Sequence, residues 1–167
     1  ANGALERDGG IDGRWVWSQS EPMSTYLVQM IVGEYEILDA EPFESSDGSV
    51  IPIVHVVPRI DGGLGPALDS VGDQMAFFED RFGPYPLDRY GIAAVYGLGN
   101  LAMEQQGRSL FGINDIAAEA NGELGFFAEL QLSHELAHQW FGNAVSPATW
   151  TDIWLSESFA TYANWLW

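Results

Sequence analysis

The stretch from Leu132 to Ala160, LSHELAHQWFGNAVSPATWTDIWLSESFA, constrains this chain more than any other. It holds H-E-x-x-H as His134, Glu135 and His138, and eighteen residues lie between His138 and Glu157. At about 100° per residue, helix positions i and i+4 are only about 40° apart, so both imidazoles leave one face. Two neutral imidazoles on one face are half of a zinc site, and catalytic zinc takes a third protein ligand while a fourth position stays open. Glu157 can supply the third ligand, because eighteen residues suffice to finish one helix, turn and begin another. Glu135 lies on the adjoining arc, where its carboxylate can take a proton from a water at the metal.

The flanks are strongly apolar: Trp140, Phe141, Trp150, Trp154, Leu155 and Phe159 predict a dry, aromatic-lined floor rather than a solvated stripe of charge. The zinc helix is expected over 125–141, ended by Gly142 and Asn143 as a helix C-terminus prefers. A turn follows over 146–151, then a last helix from Ile153 to the end of the chain. Asp152 or Thr151 can cap that helix. Asp152 can instead accept the free N–H of a zinc-bound imidazole.

Upstream, Trp15 to Trp17 reads as a short strand, and the β-rich run MSTYLVQMIV (23–32) as a longer one closed by Gly33. ESSDGS (44–49) is a turn. Residues 50–57 form a strand that Pro52 and Pro58 place at a sheet edge, and its His55 reads as a packed residue, not a ligand. A Gly-rich loop is expected over 59–66. Helical spacing of Leu68, Val71, Met75, Phe78 and Phe82 predicts a helix over 67–82, stopped by Gly83 and Pro84. Residues 91–96 and 109–113 read as strands, and 114–122 as an acidic loop. Before the second of these strands stands GNLAMEQQG (99–107), with Glu104 as its only acid.

HELAHQWFGNAVSPATWTDIWLSESFATY resembles the gluzincin zinc aminopeptidases, the group of membrane alanyl aminopeptidase and leukotriene hydrolase. That family shows H-E-x-x-H, eighteen residues, then Glu within W-L-N-E-G-F-A; here Ser156 stands for the Asn and Ser158 for the Gly. GNLAMEQQG is similar to the family's G-A-M-E-N motif, with Leu101 for the Gly and Gln105 for the Asn. The resemblance reaches upstream, in weaker form, to about Met23. It implies one Zn2+ held by His134, His138 and Glu157, with Glu135 as general base and Glu104 binding the substrate's free α-amine. It implies an α+β fold: a thermolysin-like catalytic domain fragment, a small mixed sheet packed on helices, with zinc held between the last two. Residues 1–36 would be the tail of a preceding β-domain and 37–167 the first part of the catalytic domain. The partners implied are a peptide with a free N-terminus and the remaining domains of a parent chain. The family's transition-state tyrosine lies further beyond the third ligand than Tyr162, so the fragment alone is expected to be weakly active or inactive. The alternatives are a zinc endopeptidase, and a non-catalytic zinc-binding or interaction module; an intact Glu135 speaks against the module.

Composition sets the outer limits. With 167 residues, of which 47% are apolar, the chain can build one buried core. Six Lys and Arg against 24 Asp and Glu, formal net charge −18, would repel nucleic acid and anionic lipid. No apolar run approaches the roughly 18 residues of a membrane span. The start, ANGALERDGG, lacks the apolar core of a signal peptide, as expected of an excised piece. The compartment is open, with a secreted or cell-envelope address implied by the family alone. The absence of cysteine excludes disulfides and thiolate zinc sites.

Overall fold

A computed structural model describes residues 1–7, 12–59, 68–120 and 125–167. Its centre is a five-stranded mixed sheet in the order β3-β6-β7-β9-β8. The strands are β3 (Tyr35–Asp39), β6 (Val54–Pro58), β7 (Ile92–Val95), β9 (Ser109–Gly112) and β8 (Ala102–Met103). β6, β7 and β9 run parallel, and β3 and β8 flank them antiparallel. Two ribbons complete the strands: β1 (Ala4–Arg7) with β2 (Val16–Ser18), and β4 (Phe43–Glu44) with β5 (Val50–Ile51).

Helix α1 (Val71–Phe82) lies in the connection between β6 and β7. Its Val71, Met75 and Phe78, at i, i+4 and i+7, are buried. Gly83 ends it in the left-handed region (φ 89°), and its carbonyl accepts the indole N–H of Trp140 at 3.0 Å. Phe78 meets Trp140 and Phe82 in the same cluster as Tyr90, Ile92, Phe111, Leu132 and Leu136. Truncating a side chain buried like Phe78 costs on the order of 3–5 kcal/mol. This core fixes α3 (Gly125–Ala137), the helix of His134 and Glu135, against the sheet; α4 (Trp154–Leu166) then packs on α3.

Three expectations need correction. The strand with Pro52 is not at the edge. The chain breaks at Pro52 instead, and β6 lies between β3 and β7. Pro58 falls at the strand's end, opposite Tyr35, and Pro52 contributes only its carbonyl, to Tyr90 N–H at 3.0 Å. The acidic stretch after β9 is not a loop but helix α2 (Ile113–Ala120), because Ile113, Ile116 and Ala117 recur at helical spacing and pack on the core. Residues 23–32 make no ladder. They run as a strap with one 3₁₀ turn at Thr25–Leu27, and side-chain amides take the place of a partner strand. Asn2 Nδ2 donates to Leu27 O (3.1 Å), Asn2 Oδ1 accepts from Gln29 N (2.7 Å), and Gln29 Nε2 donates to Arg108 O (2.6 Å). The Gly-rich loop and the expected first residue of the α1 helix fall largely outside the described residues.

Candidate metal centre

The end of α3 is built to stop and turn. His138 N still bonds His134 O, but Gln139 N and Trp140 N reach back only three residues, to Leu136 and Ala137. Gly142 follows with φ 120°, and Asn143 N returns to His138 O at 3.0 Å. This sends the chain through a 3₁₀ turn, Trp150–Asp152, into α4. The two helices meet along Ala160 and Ala163, both fully buried, whose small side chains let the backbones approach.

The close approach brings three ligand atoms together. His138 Nε2 lies 3.1 Å from His134 Nε2, and Glu157 Oε2 lies 3.5 Å from His134 Nε2 and 3.6 Å from His138 Nε2. With zinc–ligand bonds of about 2.0–2.2 Å, one face of a tetrahedral site has edges of roughly 3.3–3.6 Å. The triangle therefore fits a zinc ion. Its electrostatics fit as well. The two imidazoles hold Glu157 far below the usual carboxylate range. Burial works against a charge on His138, but Glu157's hydrogen bond and the charges of Glu135, Glu104 and Glu157 together raise its pKa. The site as folded carries an excess of negative charge that a divalent cation would neutralise.

Glu104, Glu135 and His138 form a second cluster, with carboxylate and imidazole atoms within 4.8 Å of one another and all three residues buried. Burial pushes Glu135 up to about 8; His138 opposes this, and Glu104 and Glu157 add to it. The structure thus brings together all five residues singled out in the sequence.

Other residues hold them, in roles that spacing does not predict. Ser156 Oγ, fully buried, lies 2.9 Å from His138 Nδ1 and donates to Phe141 O at 3.2 Å. Phe141 O itself lies 3.0 Å from the same Nδ1. Two acceptors at Nδ1 place the ring proton there and leave the Nε2 lone pair facing the triangle. Gln139 and Asn143, four residues apart, clamp the Glu104 loop. Asn143 Nδ2 donates to Glu104 O (2.7 Å) and to Gln139 Oε1 (3.0 Å), and Gln139 Oε1 accepts from Gly107 N (2.9 Å). Their signal was two amides flanking Trp140 and Phe141 at an apolar helix end.

Asp152 takes neither role foreseen for it: its carboxylate accepts from Thr149 Oγ1 (2.9 Å), and α4 has no side-chain cap. The aromatic floor is only partly dry. Trp140 is buried and Phe141 stacks on Phe159 at 5.1 Å, but Trp150, Trp154, Leu155 and Phe159 are exposed.

Residues 66–167 match the Peptidase family M1 domain, and the chain belongs to that family. Among curated proteins it is similar to aminopeptidase 2, mitochondrial, of Saccharomyces cerevisiae, 35% identical over 92% of this chain and 16% of that protein. Endoplasmic reticulum aminopeptidase 1 of Homo sapiens is 34% identical over 84% of this chain and 15% of its own length. Among solved structures, a two-domain M1 zinc metallopeptidase variant bound to L-arginine superposes with a TM-score of 0.80 at 28% identity, covering 99% of this chain and 36% of that one. An M1 zinc metallopeptidase variant of Deinococcus radiodurans bound to a Tyr-Ser-Ala substrate gives 0.76 at 27% identity, with the same coverage. The chain thus spans about a sixth of these curated relatives and about a third of these structures.

Proposed function

We propose that this chain is the metal-binding part of a zinc aminopeptidase that releases N-terminal residues from peptides. The observation that carries this reading is the His134–His138–Glu157 triangle with Glu135 buried beside it. Bound there, zinc would supply a Lewis acid for the scissile carbonyl and lower the pKa of a nearby water. Glu135 takes the water's proton on its carboxylate and returns it to the leaving amine. Its burial suits the task, because a base that titrates near neutrality both accepts and gives up a proton.

Glu104 holds the substrate's ammonium group, and an amine fixed by a carboxylate decides which peptide bond reaches the metal. In its support, Glu104 is buried next to Glu135, and the relatives are named aminopeptidases. On this reading residues 1–36 end a preceding β-domain, 37–167 begin the catalytic domain, and further domains of the whole protein complete the substrate site. The test compares an amino-acid anilide with its N-blocked counterpart on the zinc-loaded whole protein. The free amine is expected to be cleaved and the blocked one spared by at least about 100-fold; equal cleavage of both would sink the aminopeptidase reading.

A further inference from the structure

The strap that replaces the expected strand puts one side chain where the mechanism has no occupant. Pro22 to Gln29 is stitched to the loop after Glu104. Pro22 O accepts from Gln106 Nε2 (3.0 Å), Gln29 Nε2 reaches Arg108 O, and Asn2 Nδ2 bridges Leu27 O and Gln106 O (3.0 Å). On its other side the strap meets the approach to α4. Ser24 Oγ lies 3.3 Å from Ser146 Oγ, and the Tyr26 ring packs on Trp150 at 5.0 Å. Tyr26 therefore stands between the element that carries Glu104 and the element that leads to Glu157.

Its hydroxyl is buried and makes no hydrogen bond of normal geometry among the described residues. A buried hydroxyl without a partner costs about 1–3 kcal/mol, so such a group in a native protein calls for an explanation. The strap is bonded to Gln106 and Arg108, just beyond Glu104 on the same loop, and after burial itself Glu104 is the strongest influence keeping the phenol protonated, with Glu157 a weaker one. Hydrogen bonds of a reaction site are often long or misaligned before substrate binds and tighten in the complex.

We propose that Tyr26 is a positioning residue for the amine anchor: its hydroxyl donates to the Glu104 carboxylate and orients the free oxygen toward the substrate's ammonium group. This rests on the reading of Glu104 given above. The geometry favours it over a purely structural role. The ring alone provides the packing on Trp150, whereas the hydroxyl contributes nothing to the strap's own hydrogen bonds. A phenol donor suits the place, because it binds a carboxylate without neutralising the charge that an ammonium group needs.

The test uses the zinc-loaded whole protein and two probes, phenylalanine hydroxamate and its desamino analogue, 3-phenylpropionohydroxamic acid. Both can reach the metal; only the first carries an amine. Tyr26→Phe keeps the ring and removes the hydroxyl. It is expected to weaken the amine-bearing probe about tenfold, the worth of one charge-assisted hydrogen bond, and to leave the desamino probe within twofold. In a Glu104→Gln background, where the amine-bearing probe is already selectively weakened, Tyr26→Phe should add less than twofold. Equal weakening of both probes would make Tyr26 structural and overturn the proposal. So would no weakening of either while Glu104→Gln still discriminates between them. If Glu104→Gln itself fails to discriminate, the amine-anchor reading falls first and the role of Tyr26 falls with it.

Discussion

The central sheet and the α3–α4 seam each bury a histidine, and they treat it in opposite ways. His55, on β6, is 2% exposed; His138, at the end of α3, is 1% exposed. In the sheet, His55 Nδ1 accepts the backbone N–H of Ile92 at 3.2 Å, and burial together with the Arg108 guanidinium pushes its pKa down to about 4. In the seam, the surrounding carboxylates overcome the same burial penalty and raise His138. Neither the residue type nor the depth of burial separates the two places. The difference is the carboxylates: Glu104, Glu135 and Glu157 converge on His138, while the charged neighbour acting on His55 is an arginine. The acids around His138, not its depth, are what mark it as the candidate ligand.

The largest test of that contrast is metal binding. His138→Ala should abolish zinc uptake in protein purified and then resupplied with zinc, as judged by metal analysis. His55→Ala should keep about one equivalent per chain, although it loses a buried packing and hydrogen-bonding group. Loss of metal in both variants would erase the distinction. Next comes turnover. Glu135→Gln keeps the shape but cannot accept a proton, so the whole protein should lose on the order of 10³ in kcat while keeping its zinc. A variant that retains more than a tenth of the rate would place the base elsewhere.

A third test concerns the sheet. His55 binds a proton more weakly in the folded protein than in the unfolded chain. Its contribution to stability is complete above about pH 6.5 and is lost as pH falls toward 4, on the order of 3 kcal/mol in all. Denaturant unfolding of wild type and His55→Gln at pH 7 and pH 4.5 should show the variant losing less stability on acidification. Parallel losses would mean that His55 is not the titrating group. The smallest effect belongs to Ser156→Ala. It removes one of two partners of His138 Nδ1, and zinc affinity measured by competition with a chelator should fall about tenfold.

The convergence of His134, Glu135, His138 and Glu157 is legible in sequence because helical spacing turns i, i+4 directly into a shared face, and the spacer to Glu157 is long enough for one reversal; Glu104 is reached only through the resemblance of GNLAMEQQG to a known motif. The roles of Ser156, Gln139 and Asn143 are legible in neither way. What they do depends on the distance and angle between two helices and a loop, and no periodicity carries that. The sheet was legible as a set of strands, but its order was not. Pro52 reads as the mark of an edge, whereas the chain uses it as a break and sends Val54–Pro58 into the middle. The run at 23–32 has the composition of a strand, and Ser24 and Val28, on either side of its 3₁₀ turn, are extended. What it lacks is a ladder, because Asn2 and Gln29 satisfy its backbone and its contacts with their own amides. The acidic stretch after β9 hides helix α2, which among its described side chains packs on the core through Ile113, Ile116 and Ala117.

Gly142 touches no ligand atom of the triangle, yet a Cβ built there would overlap Ser156 Oγ and come within 3.3 Å of His138 Nδ1, on a backbone with φ of 120° that L side chains rarely adopt. One added carbon would thus displace the group that sets the imidazole's tautomer. In a random-mutagenesis screen for zinc loss, position 142 should therefore score beside the ligands themselves, and a catalogue of ligands drawn from such a screen alone would count one residue too many.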